Sequence, residues 1–122
     1  MIRTYGLTHV ALTVASAERA YRFYKEVFGV EEYWRGPGQI QAKTPGAHDV
    51  LAFNEGKKDV GESGGIEHIG FRLIDPLDID AAVEAVERAG GRVLSRGDFG
   101  DGQPYAFVTD PDGYEVEIWY EK

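Results

Sequence analysis

The chain spells out one short pattern twice. Residues 6–14 read Gly-Leu-Thr-His-Val-Ala-Leu-Thr-Val, and residues 65–73 read Gly-Ile-Glu-His-Ile-Gly-Phe-Arg-Leu. In order, both are glycine, apolar, polar, histidine, apolar, small, apolar, polar, apolar. The alternation is that of a half-buried strand. A repeat of this kind constrains the fold to two copies of one supersecondary unit. It also sets His9 and His68 at equivalent places.

A helical segment comes after each of these strands. Ser16 is placed to cap the first helix, Glu18 suits its first turn, and Gly29 suits its end. Between them Ala17, Ala20, Tyr21, Tyr24, Val27 and Phe28 recur at helical spacing. In the second copy Asp78 is the expected cap. Ile79, Ala82, Val83, Val86 and Ala89 repeat the stripe before Gly90 and Gly91, and an insertion around Asp75, Pro76 and Leu77 lengthens the approach. Each half then offers extended runs, at 30–35, 40–43 and 49–54 and at 92–96, 105–109 and 114–120. Asp110, Pro111 and Gly113 stand at the positions a type I turn prefers, which makes the last two runs a hairpin. The expected class is α+β, with a βαβββ module over residues 1–54, a Gly- and charge-rich linker over 55–64, and a second βαβββ module over 65–122.

Composition removes several classes of function. Of 122 residues, 13 are Lys or Arg and 21 are Asp or Glu, a net charge of −8. Such a chain repels phosphate backbones, so nucleic acid is not expected as a partner. No apolar run approaches the ~18–20 residues of a membrane span, and the first residues lack the apolar core of a signal peptide, so a cytoplasmic location without membrane contact is expected. Cysteine is absent, which excludes disulfides, thiolate metal sites and cysteine nucleophiles.

The Gly-Leu-Thr-His-Val-Ala-Leu run, the helix carrying Tyr21-Arg22-Phe23-Tyr24-Lys25 before Phe28-Gly29, the Ile66-Glu67-His68-Ile69-Gly70-Phe71 run and the final Asp110-Pro111-Asp112-Gly113-Tyr114-Glu115-Val116-Glu117 together resemble the vicinal oxygen chelate superfamily. It includes glyoxalase I, extradiol dioxygenases, methylmalonyl-CoA epimerase, and fosfomycin-resistance and bleomycin-binding proteins. The resemblance implies paired βαβββ modules whose mixed sheet curls into a cup around a divalent metal. Carried over residue by residue, it implies His9, His68 and Glu117 as ligands. Strand alternation agrees, because Val10, Leu12 and Val14, Ile69 and Phe71, and Val116 and Ile118 form the apolar faces, leaving both histidines and Glu117 opposite. The fourth corner falls on Ala52, where glyoxalase I has a glutamate. Two imidazoles and one carboxylate leave about three open positions on an octahedral ion, which suits Fe or Mn, with Zn, Ni or Co as further choices.

The implied function is a divalent-metal-dependent enzyme acting on a small metabolite or xenobiotic chelated through adjacent oxygens, with dioxygenase, lyase or isomerase, and thiol transferase chemistry all open. The alternative is a non-catalytic protein that sequesters a small molecule or antibiotic. No catalytic acid or base is assigned. Arg72, Tyr105 and Trp119 are candidate substrate-binding residues by the parity of their strands. His48 is read as a surface histidine with an acid–base role as the rarer alternative, Glu115 as a solvated edge charge, and Tyr114 as core. Short chains of this superfamily pair the first module of one copy with the second module of another, so a homodimer with metal sites shared between chains is expected.

Overall fold

A computed structural model describes residues 1–122. It contains β1 (His9–Val14), α1 (Ala17–Phe28), β2 (Glu31–Gly36), β3 (Gln39–Lys43), β4 (Val50–Glu55), β5 (Ile69–Arg72), α2 (Ile79–Arg88), β6 (Arg92–Asp98), β7 (Pro104–Thr109) and β8 (Glu115–Trp119). The chain divides into two compact units, residues 1–60 and 61–122. Each holds one four-stranded mixed sheet with a helix on one face, the first ordered β1-β4-β3-β2 and the second β5-β8-β7-β6. In each, the first strand lies parallel to the last and the other pairs are antiparallel. No helix is long and apolar enough to cross a membrane.

In the first unit, Ser16 accepts a hydrogen bond from the Arg19 N–H at 3.1 Å and so caps α1. Gly29 ends the helix at φ 69°, and its N–H returns to the Lys25 carbonyl. The buried face of α1 is Ala17, Ala20, Phe23 and Tyr24. It is rotated from the expected stripe, with Phe23 buried in place of Tyr21. The Tyr24 ring stacks on Phe53 of β4 at 5.2 Å, and Phe23 meets Tyr24 edge-on. Ile40, Ala42, Leu51 and Phe53 complete this core. Glu18 of α1 pairs with Arg35 of β2 beside Glu32. These two carboxylates, Glu18 foremost, hold the Arg35 guanidinium above its ordinary value.

The second unit repeats the plan with two differences from expectation. Asp78 makes no side-chain cap bond; Asp75 instead accepts from the Leu77 N–H at 2.9 Å and opens a single 3-10 turn, Pro76–Asp78, that leads into α2. This turn is the extra length around residues 75–77. The opening strand is also shorter than the repeated run, and His68 stands one residue before it. At the other boundary, Glu55 closes β4 and accepts from the Ala17 N–H at 3.0 Å, so it belongs to the first module and not to the linker.

Tyr114, Val116 and Ile118 are buried with Val83, Val86, Ala106 and Val108. The turn before β8 is held by Asp110, which is 2% exposed. One of its oxygens accepts from the N–H groups of Asp112, Gly113 and Tyr114 at 2.9, 3.0 and 3.0 Å. Asp110→Ala would leave these donors without that acceptor. It is expected to cost about 2–3 kcal/mol, read as a lower urea midpoint with an unchanged slope. A loss below ~0.5 kcal/mol would show that the turn holds without the carboxylate.

Candidate functional site

The face of each sheet away from its helix can be read row by row across the strands. In the first unit one row is Ala11, Ala52, Gln41 and Trp34. In the second the equivalent row is Gly70, Glu117, Phe107 and Ser95. Ala52 therefore holds the register position that Glu117 holds in the other module. A β-bulge recurs as well, between Glu32 and Trp34 and between Val93 and Ser95. In both units this bulge brings the side chain after it onto the face away from the helix.

The second unit gathers two of the three expected ligands. His68 Nε2 lies 3.1 Å from Glu117 Oε2, with Glu117 largely buried. Glu115, expected as a solvated edge charge, has a side chain 38% exposed and also lies with its Oε2 3.9 Å from His68 Nδ1, within ion-pair range. The edge of the His68 ring meets Phe107 at 5.2 Å between centroids. The imidazole thus has a carboxylate near each nitrogen and an aromatic ring at its side. Two ligands bound at about 2.1 Å and at right angles on one ion stand about 3.0 Å apart. The His68–Glu117 separation is of that size, and it equally suits a hydrogen-bonded imidazole–carboxylate pair. Gly70 lies beside this corner. A Cβ there would sit 3.9 Å from both Glu117 Oε2 and Trp119 Nε1, so the glycine leaves the space between them open.

In the first unit His9 is exposed at the start of β1, and its Nδ1 lies 2.7 Å from the Thr8 hydroxyl. That contact leaves Nε2 as its outward nitrogen. Neither unit by itself gathers three or more His, Asp or Glu side chains able to hold a metal. His48 is exposed and meets Tyr33 edge-on at 5.6 Å, which matches its reading as a surface residue.

The remaining candidates separate. Arg72 is exposed and donates to the Glu121 carbonyl at 3.1 Å, a rim position. Tyr105 and Trp119 belong to an aromatic wall. Phe99 stacks on Tyr105 at 4.2 Å with planes 18° apart, meets Trp119 edge-on at 6.1 Å, and Tyr105 contacts Phe107 at 5.6 Å. Phe99 and Phe107 were not singled out by the sequence. Phe107 could have been, because it shares strand parity with Tyr105. Phe99 comes after β6 in a loop, where no periodicity assigns a face.

The chain matches the family model described as Glyoxalase/Bleomycin resistance protein/Dioxygenase superfamily over residues 6–118. It is 30% identical over 116 residues to metapyrocatechase of Geobacillus stearothermophilus, a match covering 94% of this chain and 34% of that protein. The chain thus spans about a third of that relative's length. It is also 30% identical over 128 residues to a probable lactoylglutathione lyase of Vibrio parahaemolyticus, covering 95% of this chain and 91% of that one. Among solved structures, a mutant of the fosfomycin resistance protein FosX from Listeria monocytogenes, complexed with Mn(II) and dihydroxypropylphosphonic acid, superposes with a TM-score of 0.81 at 19% identity. That match covers 98% of this chain and 93% of that one. At this identity the likeness establishes the fold.

Proposed function

The chain belongs to the glyoxalase/bleomycin resistance protein/dioxygenase superfamily, and from that premise we propose that it is a divalent-metal-dependent enzyme acting on a small metabolite or xenobiotic chelated through adjacent oxygens. The observation that carries this reading is the His68–Glu117 corner, an imidazole nitrogen and a carboxylate oxygen 3.1 Å apart beside the bare backbone of Gly70. His68 and Glu117 would hold the ion, with His9 as the third ligand. The ion, when bound, supplies a Lewis acid that polarises the substrate's paired oxygens. The residues do the rest. Glu115, 3.9 Å from Nδ1, would help orient the ring when Nε2 faces the ion. Phe107 packs against the ring from the side.

His9 would come from a second copy of the chain. β1 and β5 are edge strands, each bonded on one side only. Apolar side chains near them are exposed, with Leu7 at 92%, Ile66 at 64% and Ile74 at 96%. Exposed apolar groups beside open strand edges favour association.

The test is metal analysis of protein purified without added metal, with a panel of vicinal diols, hydroxy ketones and epoxides then assayed under air and under nitrogen. Metal-dependent turnover supports the enzyme reading. Oxygen dependence selects a dioxygenase, and oxygen-independent turnover selects the lyase, isomerase or transferase chemistries. Tight binding without turnover would replace the enzyme by a sequestering protein.

The empty corner gives a second check. Ala52 is 3% exposed, so a glutamate there is a buried carboxylate that needs a counter-charge. Ala52→Glu is expected to lower Tm without metal. Added Mn(II) should then raise its Tm by several degrees more than it raises that of wild type. Equal shifts in the two proteins would show that position 52 does not face the ion.

A further inference from the structure

The wall formed by Phe99, Tyr105, Phe107 and Trp119 is more than the sheet needs. The opposite face of the same strands is already closed by Ala106, Val108, Val116 and Ile118, each fully buried. On the wall side, Phe99 remains 55% exposed although it is stacked on Tyr105. The arrangement also depends on glycine. Gly97 lies under the Tyr105 ring, and a Cβ there would come within 2.9 Å of the phenolic oxygen and 3.1 Å of the ring. A side chain there would crowd the Tyr105 ring and force it to shift against Phe99. At the far end Gly70 keeps the space between Glu117 and the Trp119 indole free. A row of rings therefore runs from an exposed outer stack to the imidazole–carboxylate corner, ending in an opening bordered by an indole N–H.

We propose that this wall binds a planar aromatic group of the substrate, placing the oxygens next to that group at the His68–Glu117 corner. The inference rests on the reading of that corner as the reacting end, and it adds the substrate class. Flat rings prefer offset or edge contacts with other rings over contacts with saturated groups of equal bulk. The wall itself consists only of rings and offers no charge to anchor an anion. The cation across from Trp119 in the sheet register, Arg72, is turned to the Glu121 carbonyl. An aryl group without its own negative charge is the group this surface suits.

A matched pair of probes tests it. Phenylethanediol and cyclohexylethanediol share the adjacent oxygens and differ in the flatness of the ring. The chain has two tryptophans, so Trp34→Phe leaves Trp119 as the sole indole reporter on the wall. In that background, with Mn(II) present, the phenyl diol is expected to bind about tenfold more tightly than the cyclohexyl diol and to change Trp119 fluorescence. Phe99→Leu, an exposed position where loss of folding is not expected, should weaken the phenyl diol more than the cyclohexyl diol and so remove most of that preference. Equal affinities, preference for the saturated ring, or binding of neither diol would overturn the inference. A separate titration with Mn(II) alone keeps the two readings apart. Aryl preference in a protein that does not bind Mn(II) would leave the wall and remove the metal reading. Mn(II) binding without aryl preference would do the reverse.

Discussion

Replacing His68 by Ala is expected to weaken Mn(II) binding on the order of a hundredfold or more, because a ligand bond is lost outright and not merely misaligned. Glu117→Ala should do the same, and His9→Ala should match both if all three bind one ion. The structure separates this outcome from unfolding. His68 lies outside any strand and is partly exposed, so its removal should shift the metal-free Tm by little. Glu117 is more buried, which makes Glu117→Gln the better variant. It keeps shape and hydrogen bonding while removing the charge that binds the ion. Glu115→Gln sets the scale, since a group 3.9 Å from Nδ1 acts through the ring and should cost no more than about tenfold. Equilibrium dialysis with Mn(II), read beside Tm, checks each. Wild-type affinity in a folded His68→Ala protein would remove the site.

The parts of this fold that could be read from the sequence are those governed by period and repetition. Strand parity set Val116 and Ile118 against Glu117 and Trp119, and the buried and part-exposed residues of β8 alternate in that way. The repeat aligned Ala52 with Glu117, and the registers of the two sheets make the same correspondence. Parity failed where backbone geometry breaks it. Strict alternation would place Glu32 and Trp34 on one face, but the bulge between them puts Glu32 opposite Ala42 on the helix side and Trp34 opposite Gln41 on the other. Nothing in Glu-Glu-Tyr-Trp marks an extra residue. The helix stripe missed Phe23 because Tyr21 and Phe23 are both aromatic and sit about 200° apart on the helix, and only the packing of the folded unit, where Phe23 is buried edge-on to Tyr24, decides between them. Asp75 took the capping role from Asp78 because Pro76 starts a 3-10 turn one step earlier. The candidate site was legible only as residue types at equivalent positions. The Glu115 contact and the Phe99 stack were not, since both depend on where loop and strand-end side chains turn in space.

Mixing two defective chains should restore binding. If each site takes His9 from one copy and His68 with Glu117 from the other, the His9→Ala and Glu117→Ala homodimers are both empty, each for its own reason. In a mixed dimer the lesions segregate. One site combines the altered His9 with the altered Glu117. The other combines the intact His9 of the Glu117→Ala chain with the intact His68 and Glu117 of the His9→Ala chain. Random reassortment of equal amounts makes about half the dimers mixed, so about a quarter of all sites should recover wild-type affinity, from a background near zero. The expected signal is therefore large although most sites stay defective. Co-refolding, separation of the mixed species by a charge tag and Mn(II) titration of that species alone give the cleanest reading, with one tight site per dimer. If each chain instead builds its own site, every site in the mixed dimer keeps one lesion and none binds tightly. A purified mixed dimer without a tight site would thus refute sharing while leaving His68 and Glu117 as ligands. A chain that stays monomeric at high concentration would refute it without any titration.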